Sequence, residues 1–204
     1  MKIITYNVRG LGGFEKRSEV KRLVSDKKPF VLCLQETKLS VVDDMLVKDI
    51  WGNSAMSYSF QPSNGASGGL LTCWDCNSVQ VWSTTRLPSV LIIRGRVLLS
   101  NQEFVIANFY APCDTLLKQV LWDRLLHFVV NNEAANLCVC GDFNSIRSRE
   151  ERRGRGSVFR QYDSDIFNKL IEEGSFVDLP ICGRLFTWYR GDGYTTRKTA
   201  FCDF

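Results

Sequence analysis

Three short apolar runs that end abruptly in carboxylate and carboxamide residues constrain this chain more than any other feature. Ile3-Ile4 leads into Thr5-Tyr6-Asn7, Val31-Leu32-Cys33-Leu34 into Gln35-Glu36-Thr37, and Leu137-Cys138-Val139-Cys140 into Gly141-Asp142-Phe143-Asn144. Continuous apolar runs of this length read as strands buried on both faces. Such strands belong to layered α/β folds, in which ligands and chemistry gather where strands end. The clusters lie far apart in sequence, so their shared placement implies one convergent acidic site. A hard divalent cation and phosphate-ester chemistry suit that composition.

The bulk numbers set the frame. At 204 residues, one domain over 1–204 is expected, large enough to bury about 70% of its unfolded surface. An apolar fraction of 45% and a charged fraction of 24% are ordinary for a soluble globular protein. A net charge of +4 is compatible with a nucleic-acid partner without indicating one. Met1-Lys2 runs straight into a strand with no apolar signal region, and no stretch approaches a membrane span. A nuclear or cytoplasmic location without a membrane partner is expected. Several of the eight cysteines fall inside apolar runs, where a thiol behaves as a small hydrophobe. Cys73-Trp74-Asp75-Cys76 has a CxxC spacing but no second pair or histidine beside it, so reduced structural thiols are expected rather than zinc.

The pattern predicts strands at Lys2–Val8, Phe30–Leu34, Leu70–Trp74, Val79–Ser83, Val90–Leu99, Glu103–Tyr110, Leu137–Cys140 and Leu185–Tyr189. It predicts helices at Glu15–Lys28, Val41–Ile50, Thr115–Val130 and Ser164–Glu173. In the third helix, Leu117, Val120, Leu121, Leu125 and Phe128 are expected to face inward. The sole histidine, His127, falls in that core-facing segment and reads as structural. Ser63–Gly69 reads as a bend, and the basic, glycine-bearing segment Ser148–Arg160 as an exposed loop.

Glu36 ends a strand expected to be buried, so its carboxylate must be paired, hydrogen-bonded or metal-bound. Asn7 adds a carboxamide oxygen or orients a neighbour. Asp142 and Asn144 stand at i, i+2, which in extended geometry directs both side chains to one side. Taken singly, the clusters read more readily as structural, Asp142 and Asn144 as turn residues and Glu36 as the cap of a helix beginning near Leu39. The three together, each at the same kind of strand end, favour a site.

Six ordered segments carry a resemblance: Ile4-Thr5-Tyr6-Asn7-Val8-Arg9-Gly10-Leu11, Leu34-Gln35-Glu36-Thr37-Lys38, Gly68-Gly69-Leu70, Asn108-Phe109-Tyr110-Ala111-Pro112, Gly141-Asp142-Phe143-Asn144 and Phe186-Thr187-Trp188. On these the chain resembles the endonuclease/exonuclease/phosphatase superfamily, and within it the apurinic-endonuclease-like domains of plant non-LTR retrotransposons. The resemblance implies a four-layer α/β sandwich, with two mixed, mostly antiparallel sheets flanked by helices and the site at one rim. It implies that Glu36 binds Mg²⁺ or Mn²⁺ with help from Asn7. Asp142 would orient or deprotonate the attacking water, Asn144 would hold a phosphate oxygen, and Tyr110 would stabilise charge on the phosphoryl group. DNA is the implied partner, with RNA as the alternative, and Arg9, Lys38 and Arg147 would lie against backbone phosphates; Trp188 reads either as a base-stacking wedge or as a core residue. No protein partner is implied.

The chain departs from the family at its C-terminal end. Members close with a strand and Ser-Asp-His, whereas this chain reaches Phe204 without them. Only Cys202-Asp203-Phe204 echoes the expected pattern, with Asp203 near the position of the aspartate. The expectation is a magnesium-dependent phosphodiester hydrolase, ancestrally a DNA-nicking retrotransposon endonuclease, that lacks its last strand and is weak or inactive. The alternative is a non-catalytic retroelement remnant with residual metal or nucleic-acid binding. A small phosphoester substrate ranks below both, because the motifs resemble retroelement versions most closely.

Overall fold

The apolar runs become strands of two packed sheets, the second run inside its sheet and the first and third at sheet edges. The computed structural model describes all residues except 54, 66, 132–135, 154–158, 180–187, 190–195 and 198–204. The chain forms two compact units, Met1–Tyr110 with Ala135–Gly141, and Ala111–Ala134 with Asp142–Phe204.

In the first unit, β1 (Ile3–Asn7), β2 (Val31–Gln35), β3 (Met56–Asn64) and β4 (Ser67–Asp75) form a sheet in the order β1-β2-β4-β3. β1 and β2 run parallel, with Asn7 opposite Gln35, while β4 is antiparallel to both its neighbours. The parallel pair needs a crossover, which α1 (Phe14–Lys27) supplies. The second sheet has the order β5-β6-β7-β8, built from Val79–Leu87, Val90–Val97, Glu103–Tyr110 and Leu137–Asp142. β5, β6 and β7 are antiparallel. β8 runs in the direction of β7: the Val105 N–H donates to the Asn136 carbonyl at one end, and Gly141 abuts Phe109 at the other.

All five residues of β2 are buried, as a two-faced core strand requires. Leu32 and Leu34, with Leu71 and Cys73 of β4, pack against Val20 and Val24 of α1 and against Val47, Ile50 and Trp51 of α2 (Asp44–Trp51). The alternate residues face the second sheet, where β2 and β4 meet β7. The result is an α/β sandwich of two mixed sheets with helices outside. Burial pushes the Cys73 thiol up, so it stays protonated within this core.

Some boundaries differ from the sequence pattern. Helix α2 starts at Asp44 rather than Val41, because the Asp43 carboxylate accepts the Leu46 N–H at 2.8 Å and caps the helix there. Strand β3 was not foreseen. Its serines, Gln61 and Pro62 read as polar and breaking, yet an edge strand tolerates both.

In the second unit, α3 (Thr115–Val130) and α4 (Gln161–Glu173) pack together, with Trp122, Phe143 and Phe167 ring centroids 5.5 to 5.9 Å apart. The buried stripe of α3 is Lys118, Leu121, Trp122 and Leu125, while Leu117 and Val120, expected inside, are exposed. The stripe is rotated because Lys118 is drawn inward by Asp163, 2.6 Å from its ammonium. His127, expected among core residues, is exposed in the last turn of α3. The segment expected as a loop at Ser148–Arg160 contains a 3-10 turn at Arg149–Glu151 and a short strand, β9 (Arg152–Arg153). β10 (Trp188–Tyr189) and β11 (Thr196–Arg197) join it in the order β10-β11-β9. The expected strand at Leu185–Tyr189 is thus seen only at its end. Phe186, Thr187, Cys182, Cys202 and Asp203 lie outside the described residues.

Candidate active site

β2 delivers Glu36 to the rim of the first sheet, and the backbone there leaves the strand conformation. Strict alternation would send the side chains of Gln35 and Glu36 to opposite faces. Glu36 instead has φ +54°, a left-handed conformation that a non-glycine residue adopts at a cost of roughly 1–3 kcal/mol. Arg9 and Lys38 are left-handed too, at +54° and +56°. The segment is held from both sides. Gly10 and Leu11 donate N–H groups to the carbonyls of Glu36 and Thr37 at 2.7 and 2.9 Å, while Thr37 and Lys38 donate to Gly69 and Gly68 at 3.1 and 3.0 Å. Gly69 is required here: at φ +88° a Cβ would lie 2.3 Å from the Thr37 hydroxyl oxygen.

This geometry turns the Glu36 carboxylate toward the second sheet. Tyr110, at the end of β7, donates its hydroxyl hydrogen to Glu36 Oε1 at 2.5 Å. Asn7, beside Gln35 in the β1–β2 register, accepts the Arg9 N–H on Oδ1 at 3.1 Å. Arg9 and Lys38 are exposed on this rim. Of the residues singled out from the sequence, the first unit therefore gathers Asn7, Arg9, Glu36, Lys38 and Tyr110. Glu36 and Asn7 offer hard oxygen atoms. Among the described residues, no group of three His, Cys, Asp or Glu side chains is arranged to hold a metal. So lean an oxygen set fits Mg²⁺ or Mn²⁺, which bind through one or two carboxylates and keep several waters.

Asp142 and Asn144 belong to the second unit. The strand ends at Asp142, so the extended i, i+2 arrangement is not formed: Asn144 is left-handed at φ +48°, and its N–H folds back onto Asp142 Oδ1 at 3.0 Å. The Asn144 amide donates to the Ala111 carbonyl at 2.8 Å, and the Ala111 N–H to the Asp142 carbonyl at 2.8 Å. Lys118, only 2% exposed, donates to the Asn144 carbonyl and pairs with Asp163, both at 2.6 Å. Sequence pattern missed Lys118; its signal was a lysine set among Leu117, Leu121 and Trp122. Arg147 is half-buried and donates its Nε hydrogen to Asn168 Oδ1 at 3.0 Å, which occupies part of its guanidinium. Trp188 is described only as a strand residue.

Two more residues had no role assigned from sequence. Gln35 and Asn108 are buried amides on β2 and β7, and Gln35 Nε2 donates to Asn108 Oδ1 at 2.7 Å. A carboxamide inside an apolar strand is the signal that would have found them.

A sandwich of two mixed sheets flanked by helices, with polar residues at its strand ends, is the class of architecture formed here. Residues 4–202 match the model of the Endonuclease/Exonuclease/phosphatase family, and the chain belongs to that family. Solved structures share its architecture. The AP endonuclease LMAP of Leishmania major is similar with a TM-score of 0.69 at 21% identity, over 87% of this chain and 67% of that one. An AP endonuclease of Archaeoglobus fulgidus gives 0.65 at 19%, over 87% and 72%. The 3'-5' exonuclease of Neisseria meningitidis gives 0.69 at 18%, over 97% and 87%. Among the described residues, no helix is long and apolar enough to cross a membrane.

Proposed function

We propose that this protein is a divalent-cation-dependent phosphodiesterase that nicks DNA, an endonuclease of the retrotransposon type. The observation that carries this reading is the Tyr110–Glu36 contact of 2.5 Å, at a strand end where three neighbouring residues hold left-handed backbones. Backbone strain of this kind persists where the surrounding structure over-determines it, and it gathers at active sites.

Glu36 and Asn7 are the residues that would hold Mg²⁺ or Mn²⁺, and the bound cation supplies positive charge to the phosphoryl oxygens. Tyr110 donates its one hydroxyl hydrogen to Glu36 in the free protein, which fixes the carboxylate, and would redirect that hydrogen to the phosphoryl group as negative charge develops there. Asp142 is the base. The Asn144 N–H already orients its carboxylate, which accepts a proton as the water oxygen bonds to phosphorus and the ester P–O bond breaks, the departing oxygen taking a proton from solvent. Asn144 uses one amide hydrogen on the Ala111 carbonyl and retains a second for a phosphate oxygen. Arg9 and Lys38, exposed on the Glu36 rim, neutralise backbone phosphates, with Arg147 and Trp188 as further contacts. The family match supports phosphoester hydrolysis, and the likeness to a Neisseria 3' phosphatase solved with a product DNA hairpin, at 18% identity and TM-score 0.66, supports DNA as the substrate.

The test is nicking of supercoiled plasmid with Mg²⁺ or Mn²⁺, beside Glu36→Ala and Asp142→Ala. Relaxed circles from the parent alone support the reading. A folded parent that nicks no better than either variant refutes it.

A further inference from the structure

Gln35 and Asn108 form a polar device in the interior that touches none of the reacting atoms. Neither is more than 1% exposed. One Gln35 Nε2 hydrogen goes to Asn108, and the other is shared between Thr5 Oγ1 at 3.0 Å and the Cys33 carbonyl at 3.1 Å. The two hydrogens of Asn108 Nδ2 are shared among the Leu34 and Leu71 carbonyls, both at 3.3 Å, and Thr72 Oγ1 at 3.2 Å. The network therefore joins β1, β2 and β4 of one sheet to β7 of the other. Apolar side chains would fill this gap without needing partners, but apolar contacts can slide. Hydrogen bonds fix length and direction, and a fully satisfied buried network specifies one arrangement.

Its place in the fold indicates which arrangement matters. Gln35 directly precedes Glu36, and Asn108 stands two residues before Tyr110 on the same face of β7. Two hydrogen bonds thus cross the same gap side by side: a buried amide rung of 2.7 Å, and the Glu36–Tyr110 rung of 2.5 Å at the rim. We propose that Gln35 and Asn108 are positioning residues, whose buried bond sets the separation and angle at which Tyr110 meets Glu36. The kinetic consequence rests on the proposed hydrolase activity; the geometric one does not.

The experiment exchanges the two amides. Gln35→Asn shortens one arm and Asn108→Gln lengthens the other, so either alone misaligns the rung. The double exchange restores the combined length and both amides. Misplacement of about 1 Å can cost about 100-fold, so each single variant is expected to lose about 10- to 100-fold in kcat. KM should stay within about threefold, and the double exchange should return kcat to within about threefold of the parent. A second readout needs no turnover: the ¹³Cζ-tyrosine NMR signal of Tyr110, assigned by its loss in Tyr110→Phe. It should shift in each single variant and return in the double exchange. Should a single exchange fail to fold, Asn108→Ser, which removes the rung, should shift the same signal. An unmoved signal overturns the proposal whatever the activity, and so does a signal that stays displaced in the double exchange. If the signal moves and returns in a protein whose parent nicks no DNA, the hydrolase reading fails while the positioning role stands.

Discussion

Replacing Tyr110 with phenylalanine isolates the contact on which the proposed chemistry depends. The substitution keeps the ring and removes only the hydroxyl that donates to Glu36 Oε1 at 2.5 Å. A hydrogen bond to a charged group contributes about 1.5–3 kcal/mol. At about 1.36 kcal/mol per tenfold in rate, the loss corresponds to roughly 10- to 150-fold in kcat if the bond acts in the transition state. The same hydroxyl restrains the Glu36 carboxylate, whose left-handed backbone has already brought it toward the second sheet. The assay is initial-rate nicking across a range of Mg²⁺ concentrations, with melting temperature recorded in parallel. A kcat within about twofold of the parent, in a variant that melts like the parent, would refute the reasoning, because the redirected hydrogen bond to the phosphoryl group forms only in the transition state and its loss must appear in kcat.

Three further outcomes follow from the packing. Gly141→Ala places a Cβ 2.0 Å from the Phe109 carbonyl oxygen at φ +140°, so a loss of about 3 kcal/mol or more is expected in chemical denaturation. Lys118→Met strands the mostly buried Asp163 carboxylate and should cost about 3–5 kcal/mol, with recovery in the Lys118→Met, Asp163→Leu double variant. The Glu19 carboxyl is held below its ordinary 4.5 by the Lys16 ammonium and then by the Tyr6 hydroxyl. Its contribution is therefore present above that value and lost as pH falls through the lowered one. Both partners are partly exposed, which limits it to about 1 kcal/mol, so melting of the parent and Glu19→Gln should differ at pH 7 and converge once the pH has fallen below the lowered value.

Much of the fold was legible because its signals are local. β7 and α3 fall on the bounds the pattern predicts, and β2 is apolar enough to announce burial on both faces. Elements whose identity depends on neighbours were harder to read. β3 is an edge strand whose polar residues carry no core signature, and the buried face of α3 turns on an ion pair with a residue 45 positions away. The candidate site divides in the same way. Asn7, Glu36 and Tyr110 stand out as polar residues at strand ends, whereas Gln35, Asn108 and Lys118 looked like interruptions of apolar runs until their partners were seen.

The amino-acid sequence by itself determined where the apolar strands run, where they stop, and which oxygen-bearing residues stand at their ends. Apolar runs and turn residues act over a few positions, and that information is written locally. Tertiary structure alone decided that Glu36 faces Tyr110 across 74 residues of chain. Strand alternation would have pointed the carboxylate the other way. A left-handed backbone reversed it, held by the carbonyl and amide groups of segments before and after it in the chain. Those bonds form between backbone atoms that every residue carries, so no side-chain pattern could announce them.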